Sequence, residues 1–327
     1  VSQEEQIQYS VIIPTRNGGR VLREFFSALR LQTLQPTAVI VGDSMSDDDT
    51  VDICRENGAT VYPIDLHAFD HGGTRSLLTK KAPTEIVVFF TQDAILADRE
   101  AVSRLLVPLA GDRTLSCCYG RQLPRIDANP ISAHLRLFNY PERADVRTFA
   151  DRNRLGIRTI FISNSFAAYR KSDLAAAGYF KNGLIFGEDT CTLGRLLQAG
   201  GKVMYVADAQ VYHSHNYSWL EEFRRSFDIG VLHQSEKWLL ATYGLAENVG
   251  ARYVRELFAS LWQQGKYGWM LDAAVRSAGK FAGYKLGRNF DKIPIIVRPT
   301  LSMHRRWWQG EGGGKYAATT TENGDGD

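Results

Sequence analysis

Five short clusters hold the residue types that bind polar ligands and move protons: Pro14-Thr15-Arg16-Asn17-Gly18, Gly42-Asp43-Ser44-Met45-Ser46-Asp47-Asp48-Asp49-Thr50, Phe69-Asp70-His71-Gly72-Gly73-Thr74-Arg75, Thr91-Gln92-Asp93 and Gly187-Glu188-Asp189. Each taken alone has a purely structural reading. Asp93 caps a helix starting near Asp98 or faces water at a strand end. Asp43 and its neighbours form a turn and N-cap, and His71-Gly72-Gly73 is a flexible turn. Glu188 and Asp189 favour the positive end of a helix dipole. Asp93 is the least easily explained, because it stands where the apolar run Ile86-Val87-Val88-Phe89-Phe90 stops. In α/β folds the carboxyl ends of strands are where ligands bind. Most of the five clusters follow a predicted strand, so they would converge on one edge of a sheet.

The elements that must position them alternate along the chain. Strands are expected at residues 9–14, 38–41, 59–62 and 85–90. Between them, Val21, Leu22, Phe25, Phe26 and Leu29 have helical spacing, residues 51–57 form a second helix, and residues 70–80 read as a loop entering a third. Residues 117–158 are less regular and contain three prolines. Thr159-Ile160-Phe161-Ile162 restores strand character, 193–198 is a helix stopped by Gly200-Gly201, and 202–206 is another strand. Such alternation predicts an α/β protein with a mostly parallel, Rossmann-like central sheet flanked by helices. After residue 246 two amphipathic helices are expected, with eleven Lys/Arg against three Asp/Glu and four of the six tryptophans between residues 251 and 310. The expected organisation is a catalytic unit over 1–245, a basic helical extension over 246–310 and a disordered tail over 311–327.

Composition narrows the function classes. A net charge of +3 is too small to imply nucleic acid, and no nucleic-acid-binding motif is present. Cys54, Cys117, Cys118 and Cys191 show no metal-ligand spacing and read as free thiols of a reducing cytosol. No apolar run approaches the ~18 residues of a membrane span. The expectation is a cytoplasmic protein, with peripheral contact at the inner membrane face left open.

The strings VIIPTRNGG, VGDSMSDDDT, FDHGGTRS, FFTQDA, FGEDTCTLGRLLQAGGKV and VYHSHNYSWLEEFRRSFDIG together resemble family 2 glycosyltransferases of the GT-A fold. Within that family they are most similar to the bacterial rhamnosyltransferase-like branch that builds O-antigen and other surface polysaccharides. The resemblance runs from about Tyr9 to His233. It resumes at Tyr284-Lys285-Leu286-Gly287-Arg288-Asn289-Phe290 and Leu301-Ser302-Met303-His304. It implies an inverting transfer from a nucleotide-sugar donor, dTDP-L-rhamnose or alternatively a UDP-sugar. The implied acceptor is a surface glycan, lipid-linked (a polyprenyl diphosphate) or polymeric.

The resemblance also assigns roles. Thr91-Gln92-Asp93 occupies the family's Asp-x-Asp motif with the first carboxylate absent, leaving Asp93 to meet a divalent metal, Mg²⁺ or Mn²⁺. His213 matches a further metal ligand, with His215 as the fallback and strand packing as the bland alternative for both. Thr15, Arg16 and Asn17 would line the base and ribose, and Asp43 would accept the N3–H of a pyrimidine. Asp70, His71, Gly72 and Arg75 would approach the nucleotide and its phosphates, and Gln92 belongs to the same donor set. Asp189 would be the general base, with Glu188 orienting the acceptor or the neighbouring loop. Arg224 and Arg225, beside Trp219, would close over donor phosphates or form a solvated helix face. The loops 120–139 and Ser163-Asn164-Ser165 would shape the sugar pocket.

Two rivals come from other classes. Residues 72–83 resemble the glycine-rich loop of sugar-1-phosphate nucleotidyltransferases, but two βα units precede them where such a loop should follow the first strand. A non-catalytic nucleotide-sugar binder would have no use for both Asp93 and Asp189. The C-terminal helices suit either an anionic membrane surface or packing on the catalytic unit or on a second copy.

Overall fold

The computed structural model describes residues 7–66, 69–245 and 249–310. Period-two burial builds its centre. Ile12, Ile40, Val87 and Phe89 enter one hydrophobic core, while Val11, Ile13, Val41, Val88 and Phe90 enter a second. Their strands are therefore covered on both faces, as expected of near-continuous apolar runs in a parallel sheet.

The strands are β1 (Tyr9–Thr15), β2 (Ala38–Asp43), β3 (Thr60–Pro63), β4 (Ile86–Phe90), β5 (Ile95–Leu96), β6 (Leu115–Leu123), β7 (Asp145–Arg147), β8 (Phe166–Arg170) and β9 (Lys202–Tyr212). They form one sheet in the order β3-β2-β1-β4-β8-β6-β9-β5, with β7 also paired to β9. The parallel character expected from the sequence holds from β3 to β4. Beyond β4 the sheet is mixed, because β8 runs antiparallel to both β4 and β6.

Two expectations are corrected here. Residues 159–162 are not a strand: Gly156–Ile160 is a 3-10 turn and the strand is β8. The backbone acceptors of this stretch are taken by a buried arginine, since Arg147 donates to the carbonyls of Arg158, Thr159 and Phe161 at 2.6–2.9 Å. Residues 117–158 are also more regular than expected, holding most of β6 and the helix Pro130–Asn139, whose Pro130 sits in its first turn. β6 escapes a hydrophobicity reading because it buries Arg121 and Gln122, whose partners lie elsewhere in the chain.

The two expected C-terminal helices are Val249–Gln263 and Gly268–Gly287. The second lies directly on the helix Trp219–Ser235. A Cβ on Gly283 or Gly287 would overlap the carbonyl oxygens of Phe223 or Phe227, and one on Gly230 would overlap that of Tyr284. Tyr253, Leu257, Leu261 and Ala273 form a third small core with Ile131 of the Pro130–Asn139 helix. This part of the extension thus packs on the sheet-bearing unit. No helix among the described residues is long and apolar enough to cross a membrane. The tail expected over 311–327 lies outside the described residues.

Candidate functional site

The carboxyl ends of β1, β2 and β4 are laced by side chains from the first, second and fourth clusters. Asp43 ends β2 buried, accepting from the Thr15 hydroxyl at 2.9 Å, the Ser46 hydroxyl at 2.6 Å and the Ser46 N–H at 2.9 Å. Asn17, at φ 45°, donates its N–H to Ser46 Oγ and accepts from the Asp47 N–H. The Gln92 amide clamps the backbone of Arg16, accepting from its N–H at 3.0 Å and donating to its carbonyl at 3.1 Å. Gln92 thus shapes the β1 loop, while Asp93 next to it has other partners.

Asp93 meets β9. Its Oδ1 lies 3.4 Å from His213 Nε2 and its Oδ2 lies 3.6 Å from His215 Nε2. One ligand atom from each of the three residues fits within a 4.8 Å span. Burial alone would raise the Asp93 pKa, but the hydrogen bond and charge of His213, with the charge of His215, hold it well below the usual carboxylate range. Burial, and then the neighbouring His213, push the His215 imidazole down to about 4. An ionised carboxylate facing a neutral imidazole suits a divalent cation.

Asp189 stands in the first turn of the helix Glu188–Gln198, after Gly187 at φ 79°. Its Oδ1 accepts from the Thr190 N–H at 2.7 Å and its Oδ2 from the Asn164 N–H at 3.3 Å. Burial first, and then the Glu188 charge, raise its pKa to about 6. That value suits a group that must lose and regain a proton near neutrality. The Asp93 and Asp189 corners are connected through hydrogen bonds. His213 Nδ1 lies 2.9 Å from Gln122 Oε1, Gln122 Nε2 donates to Ser163 Oγ at 3.0 Å, and Ser163 precedes the Asn164 whose N–H meets Asp189.

With this geometry, similarity to known proteins is informative. Residues 10–177 match Glycosyl transferase family 2. Over 304 residues the chain is 39% identical to the O-antigen chain rhamnosyltransferase RfbN of Salmonella typhimurium, covering 92% of this chain and 96% of that protein. The chain belongs to glycosyl transferase family 2. The glycosyltransferase is likewise 39% identical over 302 residues to the O-antigen chain rhamnosyltransferase WbaN of Salmonella anatum, covering 92% and 95% of the two chains. Among solved structures it resembles the mannosyltransferase PcManGT of Pyrobaculum calidifontis in complex with GDP-Man and Mn²⁺ (TM-score 0.56, 18% identity, 95% of this chain and 87% of that one). It also resembles S. aureus TarS residues 1–349 in complex with UDP-GlcNAc (TM-score 0.53, 17% identity, 92% and 88%). The fold is GT-A.

Several residues expected to meet the donor have partners inside this glycosyltransferase. Asp70 caps the helix His71–Lys81, accepting from the Gly73 N–H, while its other oxygen accepts from the Gly183 N–H at 2.9 Å. A Cβ on Gly72 would overlap the Lys181 carbonyl, so this glycine admits the enzyme's own loop. Arg75 is buried and donates to Glu188 Oε1 at 2.8 Å. Glu188 also accepts from Asn164 Nδ2 at 3.4 Å, and Asn164 Oδ1 accepts from the Tyr169 hydroxyl. Glu188 thus has its partners within the enzyme's own loops. Arg224 donates its Nε–H to the Thr300 carbonyl of the C-terminal segment. Arg225 instead lies 5.9 Å from the Phe186 ring and 6.0 Å from Tyr217, which stacks on His215. Trp219, 62% exposed, lines a hollow with Leu271 and Val275 and joins none of these bonds.

His71 stays near the site, and it brings a residue that the reading of roles left out. The ring of His304 stacks on Phe186 with centroids 5.9 Å apart and meets His71 edge-on at 5.7 Å. Met303, beside it, donates its N–H to the buried Asp228. Gln122 and Arg136 were missed as well. Gln122 is brought toward His213 by the pairing of β6 with β9, and Arg136 reaches Gln122 from the helix Pro130–Asn139.

Proposed function

We propose that this glycosyltransferase transfers L-rhamnose from dTDP-L-rhamnose to a hydroxyl of a bacterial surface-polysaccharide acceptor, with inversion at the anomeric carbon. The observation that carries the reading is the hydrogen-bonded connection between the Asp93–His213–His215 group and Asp189. The rhamnose donor is supported by the two O-antigen rhamnosyltransferases at 39% identity.

In this reading Asp189 takes the acceptor hydroxyl proton as the oxygen attacks the anomeric carbon. The bond from that carbon to the diphosphate breaks, and its electron pair leaves with the diphosphate. The Asn164 N–H fixes the carboxylate, and the raised pKa makes it basic enough to accept the proton. Asp43 can still accept the imide N–H of a pyrimidine, because a carboxylate oxygen takes more than one hydrogen bond. Thr15, Arg16 and Asn17 line the base and ribose side in the loops that Gln92 and Ser46 hold. Arg225, which has no ion-pair partner among the described residues and lies beside Phe186 and Tyr217, would reach phosphate oxygens.

Asp93 and His213 would hold Mg²⁺ or Mn²⁺, with His215 beside them. Bound there, a divalent cation stabilises the charge growing on the leaving diphosphate. We assign the enzyme to the cytoplasm, with residues 1–245 as the catalytic unit and 246–310 as a helical extension. Exposed Trp262, Leu271 and Phe281 would be the extension's face toward the membrane that carries a polyprenyl-diphosphate-linked acceptor. Flotation of the protein with anionic liposomes checks that face; a dimer that stays off the liposomes would reassign it to a second copy.

A panel of nucleotide sugars with Mn²⁺, read by thermal shift and donor turnover, tests the donor. Selective stabilisation and turnover with dTDP-L-rhamnose is expected. Preference for a UDP-sugar would overturn the rhamnose assignment and leave the reaction class standing.

A further inference from the structure

Gln122 is 1% exposed in β6, and its amide touches both chemical corners of the site. Arg136 Nη1 donates to its Oε1 at 2.7 Å. A guanidinium has no acceptor, so the amide atom facing it must be the oxygen and the flipped amide is excluded. That same oxygen lies 2.9 Å from His213 Nδ1. Two acceptors do not hold such a distance, so Nδ1 carries the hydrogen.

The consequence falls on the far side of the ring. A neutral imidazole protonated at Nδ1 presents a lone pair at Nε2, and His213 Nε2 is the atom 3.4 Å from Asp93 Oδ1. With Nδ1 committed to Gln122, Nε2 is the nitrogen whose proton a cation would replace, and it faces the Asp93 carboxylate. His215 has no comparable partner on its Nδ1 among the described hydrogen bonds. Its ring is held by stacking on Tyr217, 5.1 Å between centroids.

We propose that Gln122, locked by Arg136, is a positioning residue that commits His213 to cation binding through Nε2 and ties that ligand to the loop holding Asp189. The proposal rests on the reading of Asp93 and His213 as a divalent-cation site. The tie is the donation from Gln122 Nε2 to Ser163 Oγ, one residue before the Asn164 N–H that meets Asp189. Outer partners of this kind fix ring orientation and tautomer, and their loss costs about 10–100-fold in metal affinity. The competing role is a buried amide that only satisfies its neighbours, which would leave metal affinity untouched.

Mn²⁺ binding to the nucleotide-free full chain, measured by calorimetry or electron paramagnetic resonance, separates the two. Gln122→Leu is expected to weaken Mn²⁺ binding about 10–100-fold. Gln122→Glu should restore most of it, because a carboxylate accepts the same two hydrogen bonds from Arg136 and His213. Arg136→Met frees the amide to flip and should weaken binding by a smaller factor; it carries the test if Gln122→Leu does not fold. Gln122→Leu binding Mn²⁺ as tightly as the parent, Gln122→Glu binding no better than Gln122→Leu, or, where Gln122→Leu does not fold, Arg136→Met matching the parent would overturn the proposal. A parent that binds no Mn²⁺ would instead remove the cation site itself, and the proposal with it.

Discussion

The two halves of the sheet solve their polar problem differently. At the β1–β2–β4 end, Asp43, Ser46 and Asn17 bond to one another across roughly thirty residues or fewer, within loops whose composition announces a turn. At the β8–β6–β9 end, the partners are distant: His213 and Gln122 are 91 residues apart, and Arg75 and Glu188 are 113 apart. The first arrangement leaves a mark in local sequence and the second leaves almost none. Asp43 is buried in the first and Gln122 in the second. Asn17 is exposed and Ser46 half-buried in the first, however, so water can replace a partner lost there. A partner lost in the second strands a polar group and costs more.

The largest expected effect breaks the distant half at its shared corner. Asp93→Ala should abolish the response to Mn²⁺ and lower turnover by on the order of 10²-fold or more, since charge stabilisation by a bound cation is worth several kcal/mol. Activity measured with and without Mn²⁺ checks it; an unchanged metal response would take Asp93 out of the cation site.

A pH profile sharpens the comparison next. Asp189 must be ionised to accept a proton, and its pKa is raised to about 6. The kcat/KM should therefore fall about tenfold per pH unit below that value and level off above it. Burial is the larger cause of the rise and the Glu188 charge the second. Glu188→Gln removes a negative neighbour, which favours the ionised form, so the acid limb should move to lower pH. A limb that moves up, or stays fixed, would show that another group controls it.

The local half should be more forgiving. Ser46→Ala deletes a hydroxyl that donates to Asp43 and accepts from Asn17, at a cost of about 1 kcal/mol, or about fivefold in donor KM with kcat little changed. The smallest catalytic effect is expected outside both halves. Gly287→Ala places a methyl against the Phe227 carbonyl and should destabilise by about 1–3 kcal/mol while kcat per folded molecule stays near the parent's. Thermal denaturation checks the first part and steady-state kinetics the second.

The same contrast explains what was legible in the sequence. Asp93 and Asp189 were visible because each breaks an apolar or helical pattern at an element end. His213 and His215 were visible by their alternate spacing, just past the end of β9. The internal partners of Asp70 and Arg75 were not legible, because a helix cap or a buried ion pair asks for the same residue types as a ligand contact. β8 was displaced by a few residues because Thr159 and Ile160 are buried and apolar enough for a strand, yet Arg147 holds that backbone from another element. Gln122 and Arg136 were invisible because their contacts exist only once β9 pairs with β6 and the helix Pro130–Asn139 packs back over β6.

The most direct test of the account is turnover by Asp189→Asn, with donor binding in Mn²⁺ measured on the same preparation. A base removed from an intact site should lower kcat by about 10²–10⁴-fold while donor affinity stays near the parent's. Turnover within a few-fold of the parent, or donor binding lost together with it, would contradict the assignment of Asp189 and the connection drawn between the two halves.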